Sequence, residues 1–461
     1  MQLKLALPKG RLLPATASWL ESRDWGLAEY REGSRAYRLH SPAFPHLLIK
    51  VFQEKDIPIQ VAVGNYDIGI CGRDWLEEYL ARYPSMPLVK IGELGYGCGE
   101  LLLASSYSSP FSSWDKLRED GRPLRLASEY PNLAEAMALR LRLKRFQVFS
   151  LWGAAQAYPP ESADLVLVAQ NSPDELAALG LRPLSTLFPI TACLIANKRS
   201  WLEKDMAEVV AQLPPHMAEA RERKILPATS VASLPLFHEG LLRLALPDGH
   251  QQSPTAAFLQ RAGLDIGEYS HGQRRTSLGL DGVMAKVIRP QDIPQQLACG
   301  NFDVGITGRD WLRDHLSRFP DSPVAQVLDL GFGWVRVVAV VSQELPVANI
   351  DEFRALAKAG QLPYLRIASE YVNIADKYAW ENHLSPYRLI PTWGASEAFL
   401  PEDADLLIEN TQTGQTLARA GLKIIDVLLE STACVVVAKA AWKGKADKLE
   451  NLIQTLRRGL E

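Results

Sequence analysis

One stretch of the sequence combines residue types suited to holding a phosphorylated sugar. Residues 403–422 read DADLLIENTQTGQTLARAGL, in which Glu409 closes an apolar strand, a Thr-Gly-Gln-Thr turn follows, and a helix is predicted from Leu417. Backbone N–H groups of such a turn and the positive end of a helix dipole attract an anion, and the threonine hydroxyls add donors. The pattern predicts a phosphoribose cradle with the Glu409 carboxylate beside the sugar hydroxyls. The alternative is a threonine-glycine turn that only caps a helix.

This candidate cradle lies in the second of two copies of one sequence. Residues 64–76 read GNYDIGICGRDWL and residues 300–312 read GNFDVGITGRDWL, so ten of thirteen positions are identical. The motifs LALP, DIP, LGYG or LGFG, ASEY, WGA and TAC also recur in the same order. A repeat of this length is a whole domain, larger than the roughly 20 to 50 residues of a solenoid unit. The sequence therefore predicts domains at 1–216 and 241–461, with a linker at 217–240.

The elements that would position the cradle follow from apolar runs that alternate with amphipathic stretches. In the first copy the runs KLALP, LLIKVF, YDIGICG, ELLLAS, LRLAS, QVFSLW, ADLVLVA and ACLIAN predict strands. This alternation indicates α/β domains with mixed, mainly parallel sheets. Helices are predicted at 14–22, 75–83, 133–145 and 201–213, and a closing helix of the second copy at 445–458.

Composition and charge restrict the class of protein. The 461 residues are 47% hydrophobic and 22% charged with a net charge of -3, which indicates no disorder, membrane or nucleic-acid surface. A polyanionic substrate would therefore need a local cluster of positive groups. No apolar run reaches the roughly 18 residues of a membrane span, and the N-terminus reads as a strand, which favours a cytoplasmic location. Five cysteines without CxxC spacing are expected to be reduced and buried: Cys71, Cys98, Cys193, Cys299 and Cys434.

In combination, the motifs resemble the ATP phosphoribosyltransferase family, the first enzymes of histidine biosynthesis. The motifs are LALPKGRLL, DIP before GNxDxGIxGRDxL, LGFG, RIASEYxNxA, WGASEA, the TGQT loop and STAC, and they span each copy almost from end to end. The resemblance implies a two-lobed catalytic domain, similar to type II periplasmic-binding proteins, that binds ATP and Mg²⁺-bound phosphoribosyl pyrophosphate in its cleft. Because the chain stops soon after STAC, it also implies the short form of the family, which works with a histidyl-tRNA-synthetase-like partner subunit.

The implied reaction has a clear electrostatic requirement. N1 of adenine attacks the anomeric carbon, pyrophosphate leaves, and a cationic ribosyl centre separates from a polyanion. Cationic side chains and Mg²⁺ must meet the leaving group, and arginine is best suited because its guanidinium is a fixed fork for phosphate oxygens. The eight histidines form no ligand pattern with cysteines or carboxylates, so no resident metal site is predicted and Mg²⁺ is expected to be bound to the substrate.

The Lys-Gly-Arg turn favours the first copy as the source of cations. Lys9 and Arg11 have Asp248 and His250 as their counterparts in the second copy, which removes positive charge. If the turn serves the cleft of its own domain, each copy lacks one part of the site. If the active site lies near a subunit interface, as the resemblance implies, the fused copies can share one site, to which the first copy contributes Arg35.

The cradle shows the opposite difference. Glu409 is Val168 in the first copy, and residues 413–416 are Ser-Pro-Asp-Glu at 172–175. Proline has no N–H to donate and two carboxylates repel phosphate, so the first copy cannot hold phosphoribose there. At three further positions, only the second copy has the residue expected at the ATP site. These are Arg289, Arg336 and Glu397, whose counterparts in the first copy are Gln53, Glu100 and Gln156.

A single composite site is therefore predicted, inside a chain that forms its own pseudo-dimer and can associate further. Three sets of residues are assigned to it. The catalytic cations come from the first copy: Arg35, Lys9 and Arg11. The phosphoribosyl pyrophosphate ligands are Glu409, Thr413, Gly414, Gln415 and Thr416, and the ATP ligands are Arg289, Asp310, Arg336 and Glu397.

Two function classes remain open from the sequence. The first is an ATP phosphoribosyltransferase of fused form, which the intact cradle favours. The second is a binding or regulatory protein of the same fold that retains a nucleotide or phosphoribosyl ligand without turnover, which the replaced Lys-Gly-Arg turn favours. A periplasmic solute-binding protein is not expected, because no export signal is recognised.

Overall fold

A computed structural model describes residues 2–34, 36–111, 117, 122–171, 173–214, 240–362 and 364–460, and these residues form two compact units. Unit 1 consists of residues from 2–150, 163–214 and 392–398. Unit 2 consists of residues from 151–162, 240–391 and 399–460. Each unit thus follows one sequence copy but contains one short segment of the other. The linker predicted at 217–240 lies outside the described residues except for Gly240, and the predicted domain boundaries stay predictions.

Unit 1 contains two sheets that correspond to the two predicted lobes. The strand orders are β2-β3-β1-β4-β11-β5 and β10-β6-β9-β7-β8. The strands are β1 (Lys4–Lys9), β2 (Arg38–Leu39), β3 (Leu48–Gln53), β4 (Ile68–Gly72), β5 (Leu88–Glu93), β6 (Gly99–Ser106), β7 (Leu124–Ser128), β8 (Phe146–Ser150), β9 (Leu165–Gln170), β10 (Leu181–Ile190) and β11 (Ala192–Asn197). The helices are α1 (Leu13–Glu21), α2 (Ile57–Ala62), α3 (Arg73–Arg82), α4 (Pro131–Arg140), α5 (Pro173–Ala178), α6 (Lys198–Glu203) and α7 (Ala207–Ala211).

Unit 2 repeats this topology. Its strand orders are β13-β14-β12-β15-β22-β16 and β19-β18-β20-β17-β21. The strands are β12 (Leu242–Pro247), β13 (Arg275–Thr276), β14 (Val283–Ile288), β15 (Val304–Gly308), β16 (Val324–Asp329), β17 (Val335–Ser342), β18 (Leu365–Ser369), β19 (Tyr387–Pro391), β20 (Leu406–Thr411), β21 (Leu422–Ser431) and β22 (Ala433–Ala438). The helices are α8 (Gln252–Arg261), α9 (Ile293–Ala298), α10 (Arg309–Arg318), α11 (Ile350–Lys358), α12 (Val372–Glu381), α13 (Gln415–Arg419), α14 (Ala441–Gly444) and α15 (Ala446–Arg458).

The predicted α/β class and the two-lobed duplication are confirmed. All four sheets are mixed, with parallel pairs such as β1 with β3 and β7 with β9 at their centres. Antiparallel pairs are more numerous than the sequence indicated. The long strands β10 and β21, which each pair with an antiparallel neighbour, were not predicted because their residues alternate only weakly between buried and exposed.

The helices predicted at 14–22, 75–83 and 445–458 match α1, α3 and α15 to within two residues. The one predicted at 133–145 corresponds to α4 but extends five residues too far, and the stretch 201–213 contains the end of α6 and then the separate helix α7. Short 3-10 turns at Ala155–Ala157, Gly249–Gln251 and Ser396–Phe399 were also not predicted.

The recurring Gly-Arg-Asp sequence has a packing reason. Gly308 precedes α10 with φ at -74°, which any residue adopts, so the glycine does not serve a left-handed turn. A Cβ atom there would lie 2.0 Å from Oδ1 of Asp310, and one on Gly72 would lie 2.1 Å from Oδ1 of Asp74. Glycine is therefore required because an aspartate carboxylate folds back onto the backbone at the start of the helix.

Each lobe has its own apolar core, built from the inward residues of its sheet and the helices that cover it. None of the described helices is long and apolar enough to cross a membrane. All five cysteines are free, and three of them are buried. The expectation of burial was wrong for Cys98 and Cys299, which are exposed because they lie in the turn before β6 and at the end of α9.

Candidate active site

The candidate cradle follows β20 in unit 2. Gly414 has φ at +76°, in the left-handed region, and precedes α13, which begins two residues earlier than predicted. The Gly414 N–H donates to the Thr411 hydroxyl at 2.9 Å, and the Gln415 N–H donates to the Thr413 hydroxyl at 3.4 Å. Thr413 and Gln415 are exposed and Thr416 is half-buried. The turn has the shape that the sequence predicted, and its threonines shape the loop itself.

Glu409 is held by a chain of hydrogen bonds that crosses unit 2. Its Oε1 accepts from the Asn410 N–H at 2.8 Å and from Asn410 Nδ2 at 3.1 Å. Asn410 Nδ2 also donates to the Tyr371 hydroxyl at 3.0 Å, and that hydroxyl donates to Asp310 Oδ2 at 2.6 Å. The Ser431 hydroxyl donates to Asp310 Oδ1 at 2.9 Å. The chain fixes the carboxylate of Glu409 beside the cradle.

Asp310, which we predicted as an ATP ligand, is an internal member of this chain. It is 3% exposed, and its two oxygens accept from Tyr371 and Ser431. Burial, followed by the charge of Asp310, raises the pKa of Tyr371 well above its ordinary value, so the tyrosine stays a hydrogen-bond donor. Because Asp310 is buried and both its oxygens are already bonded, the structure supports a positioning role for it.

A prediction follows for Asn410, whose counterpart in the first copy is Ala169. We expect Asn410→Ala to lower kcat about tenfold, because Glu409 loses its link to Tyr371, at a cost of about 1 kcal/mol in the free energy of unfolding. Steady-state kinetics and urea unfolding measure the two effects. The reverse change in unit 1, Ala169→Asn, is expected to leave kcat unchanged. An equal loss in both variants would contradict a role for Asn410 at one site.

Arg336 lies next to the cradle on the neighbouring strand. In the register of β17 with β20, Arg336 is opposite Thr411, the residue that starts the loop. Its guanidinium lies 5.7 Å from the ring of Trp334. The Nε of Arg336 is buried, and within the described part of the chain nothing accepts its hydrogen bond. The structure thus places Arg336 on the strand next to the one that carries Glu409 and leads into the 413–416 loop, and its role as a substrate ligand stays a prediction.

The second group of cations is organised by Asp248. This residue replaces Lys9 in the repeat, is 6% exposed, and pairs with Arg274 at 2.8 Å and with Arg289 at 3.3 Å. The Nε of Arg274 is buried and, among the described residues, has no acceptor. The substitution we interpreted only as lost charge therefore has a structural effect, because its carboxylate orients two arginines.

Unit 2 also contains residues 151–162 of the first copy. The Trp152 N–H donates to both carboxylate oxygens of Asp292, at 3.1 and 3.0 Å. Near the other end, Glu161 is 8% exposed and forms ion pairs with the fully buried Lys286 at 2.6 Å and with Arg275 at 3.0 Å. Since one charge of a buried pair is costly without the other, Glu161 anchors the segment.

These ion pairs predict a pH dependence of stability. Burial alone raises the pKa of Glu161, but Lys286 and Arg275 lower it to about 2, from an ordinary value of 4.5. A depressed folded-state pKa contributes stability that is complete above the unfolded value and is lost as the pH falls towards 2, here about 3 kcal/mol. Calorimetry should therefore show that Glu161→Gln lowers the free energy of unfolding most near neutral pH. The difference from the wild type should become smaller as the pH falls. A gap independent of pH would contradict the assignment.

Arg11, predicted to meet pyrophosphate, is engaged inside unit 1. Its Nη2 pairs with Glu54 at 3.0 Å and with Asp74 at 2.9 Å, and the Tyr130 hydroxyl donates to Asp74 at 2.7 Å. Burial lowers the pKa of Arg11, but Asp74 and Glu54 together raise it above its ordinary value, so the charge is permanent and internally balanced. These contacts include Arg11 in the network around Asp74, which is the unit 1 counterpart of the network around Asp310.

The structure also corrects the pairing of Arg11 with His250. A Cβ atom on Gly72 would lie 2.8 Å from Arg11 Nη2, and one on Gly308 would lie 3.1 Å from Gln251 Nε2. Gln251, one residue later, therefore occupies the equivalent place. The sequence comparison missed this because the second copy has one extra residue before its matching proline, Pro254.

The remaining predicted residues are divided between the units. Lys9 lies 4.8 Å from the ring centroid of Tyr37 in unit 1. Glu397, in the Ser396–Phe399 turn, also belongs to unit 1, whereas Arg289 and Arg336 belong to unit 2. Arg35 lies outside the described residues. The structure therefore does not group Glu397 with the other predicted ATP ligands in one unit.

The corresponding loop of unit 1 is already occupied by an internal carboxylate. Glu175, the counterpart of Thr416, accepts at 3.3 Å from the N–H of Asn171 and at 3.3 Å from its side-chain amide. A carboxylate bonded to the loop leaves no favourable place for a phosphate. Across the described ranges, no three side chains of histidine, cysteine, aspartate or glutamate are grouped as a metal site requires.

Sequence reasoning missed Tyr371, Asn410 and Ser431. Two of them lie in motifs already noted, since Tyr371 ends ASEY and Ser431 begins STAC. Asn410 directly follows Glu409 and is alanine in the first copy. The recurrence of the tyrosine and the asymmetry at Asn410 were usable signals.

Comparison with known proteins finds one family model that matches both halves of the chain. The family model described as HisG, ATP phosphoribosyltransferase, matches residues 53–216 and 289–458, which together exceed half of the chain. The ATP phosphoribosyltransferase of Prosthecochloris aestuarii is 32% identical over 219 residues, or 47% of this chain and 71% of that protein. The ATP phosphoribosyltransferase of Rhodopseudomonas palustris is 34% identical over 218 residues, which are 45% of this chain and 66% of that protein. A solved ATP phosphoribosyl transferase (HisG:HisZ) complex from Thermotoga maritima matches with 22% identity and a TM-score of 0.39, covering 48% of this chain and 98% of that one.

Proposed function

The chain belongs to the ATP phosphoribosyltransferase family, and we propose that it transfers phosphoribosyl from phosphoribosyl pyrophosphate to N1 of ATP, releasing pyrophosphate, at one site based on unit 2. The observation that carries this proposal is the chain of hydrogen bonds from Asp310 through Tyr371 and Asn410 to Glu409. A buried carboxylate that is fixed beside a phosphate-type turn is suited to sugar hydroxyls, and unit 1 has valine at the same place.

In this proposal the cradle residues bind the 5′-phosphate and ribose. Thr413, Gly414, Gln415 and Thr416 supply hydroxyl and backbone donors at the start of α13, and Glu409 accepts from the ribose hydroxyls. The buried Nε of Arg336 has no hydrogen-bond acceptor in the part of the chain that the structure describes, which supports a role against substrate phosphate. Mg²⁺ would enter with the pyrophosphate and neutralise part of its charge.

The acceptor side is proposed around Arg289. Its side chain is 41% exposed, and the ion pair it makes among the described residues is the one with Asp248 at 3.3 Å, so the guanidinium remains available to an ATP phosphate. Asp310 acts by positioning, and Arg11 by holding unit 1 together. Contributions of Lys9 and Arg35 to pyrophosphate binding and of Glu397 to ATP binding stay proposals. The same holds for a histidyl-tRNA-synthetase-like partner subunit and for a cytoplasmic location.

Binding without turnover is the second candidate, and Asp248 favours it. A carboxylate between Arg274 and Arg289 competes with substrate phosphate for the same cations. In that case the protein would bind a nucleotide or phosphoribosyl ligand and regulate rather than catalyse.

The two candidates are separated by one assay. Purified protein is incubated with ATP, Mg²⁺ and phosphoribosyl pyrophosphate, with and without a synthetase-like partner, and phosphoribosyl-ATP is followed by its ultraviolet absorbance. We expect product that depends on both substrates. Tight binding of either substrate with no product under both conditions would support the regulatory candidate and contradict catalysis.

A further inference from the structure

The side chain of Arg289 lies directly on backbone contributed by the other sequence copy. Gly153 belongs to residues 151–162, which pack as part of unit 2 although they come from the first copy. A Cβ atom on Gly153 would lie 2.7 Å from Arg289 Nε and 3.4 Å from its Cγ. The first distance is too short for any real Cβ contact, so a side chain at this position would have to displace Arg289.

Arg289 has a second contact, with Asp248, and the backbone around Gly153 is itself held in place. Its Nη1 pairs with Asp248 at 3.3 Å. The backbone next to Gly153 is fixed by Asp292, which accepts the Trp152 N–H with both oxygens, and the segment is anchored further on by Glu161. The ring of Trp152 lies 5.7 Å from that of Trp311, which adds an apolar contact within unit 2.

We infer that Gly153 is a positioning residue for Arg289, so that a residue of the first copy sets the ATP affinity of the site in unit 2. The inference rests on the proposed function, because it takes Arg289 as the ATP ligand. An arginine confined between a glycine backbone and a carboxylate has few rotamers to lose when it binds phosphate, and such preorganisation favours binding. The effect on the sugar-phosphate cradle should be small, since the three atoms nearest to a Cβ on Gly153 all belong to Arg289.

The test is Gly153→Ala. Gly153 has no positive φ, so alanine introduces no backbone strain of its own, and its single added carbon moves Arg289. We expect the KM for ATP to rise about tenfold, as for one misplaced charged ligand, with kcat and the KM for phosphoribosyl pyrophosphate little changed. Gly444→Ala is the matched control, because a Cβ atom there meets nothing within 4 Å and Gly444 has no positive φ. It should alter none of the three constants.

A double-mutant cycle distinguishes positioning from a general structural effect. Arg289→Gln introduces glutamine, the residue that the first copy has at the equivalent position, Gln53. When this substitution is already present, Gly153→Ala is expected to cause no further rise in the KM for ATP. An unchanged KM in the single variant, or an equal rise in both backgrounds, would overturn the inference. If the wild type makes no product, the proposed function fails separately. Calorimetric titration of the same proteins with ATP then applies the same comparison to Kd, and no ATP binding by the wild type overturns both.

Discussion

Replacing Gly414 by proline is expected to lower the kcat/KM for phosphoribosyl pyrophosphate by at least about 100-fold. Gly414 has φ at +76°, whereas proline is fixed near -65°, so the turn cannot keep its shape. Proline also removes the N–H that Thr411 accepts at 2.9 Å. Loss of one preorganised backbone donor group at a charged centre costs roughly 10² to 10³ in rate. Steady-state kinetics with varied phosphoribosyl pyrophosphate measure the effect.

The matched variant is Pro173→Gly, at the position of unit 1 that corresponds to Gly414. Pro173 is the first residue of α5, and the carboxylate of Glu175 in this helix accepts a hydrogen bond from the N–H of Asn171 in the preceding loop. Glycine there should change kcat/KM less than about twofold, since the internal carboxylate still repels phosphate. Thermal unfolding of both variants controls for loss of the fold. Equal losses of activity in the two variants would exclude a single site based on unit 2.

Charge reversal at Arg336 is the second large effect that we expect. Arg336→Glu introduces the residue that the first copy has at this position, Glu100, opposite the start of the cradle. The change removes a cation whose buried Nε has no acceptor among the described residues and adds a repelling charge. We expect kcat/KM to fall about 1000-fold, since deletion of one charge-stabilising donor already costs roughly 10² to 10³.

The reverse substitution, Glu100→Arg, is its control in unit 1. Glu100 accepts from the Thr186 hydroxyl at 3.2 Å on the surface of that unit, so its loss removes one exposed hydrogen bond. Activity should stay within about twofold of the wild type, because an exposed hydrogen bond contributes little. A large gain of activity would show that unit 1 retains a second usable site, and a large loss would show that Glu100 itself takes part in catalysis.

The cradle could be predicted from sequence because its chemistry is local. A strand, a turn that needs a glycine, and a helix lie within residues 406–419, so the residue order alone specifies which groups converge. The asymmetry at Gly414 and Pro173 could be interpreted for the same reason, since backbone restrictions of glycine and proline act within one turn.

Residues whose role depends on tertiary packing could not be assigned in this way. Asp310 follows a glycine and an arginine at a helix start, a position that is usually exposed, yet the chain folds Tyr371 and Ser431 over it. Arg11 was assigned to substrate by its charge, but its carboxylate partners Glu54 and Asp74 are 43 and 63 residues away in the sequence. No periodic pattern reports such distant partners.

Membership of the two units was also beyond sequence comparison. The two copies have the same apolar pattern, and nothing local distinguishes a WGA segment that packs with its own copy from one that packs with the other. Glu397 was therefore grouped with Arg289 because both are in the second copy, although the structure assigns residues 392–398 to unit 1.

Because each unit contains a short segment of the other copy, selection for the stability of either unit acts on both copies. A fragment that contained only the second copy would lack Glu161, and Lys286 would be buried without the carboxylate at 2.6 Å that balances its charge. A fragment that contained only the first copy would lack Ala398, whose carbonyl accepts from the buried Lys50 at 2.6 Å. Neither copy can therefore be discarded after the duplication, even when its own cradle has decayed. If the site lies in unit 2 alone, as proposed, the first copy is still needed for the fold of unit 2, while its own loop can carry residues such as Pro173 that a phosphate site excludes.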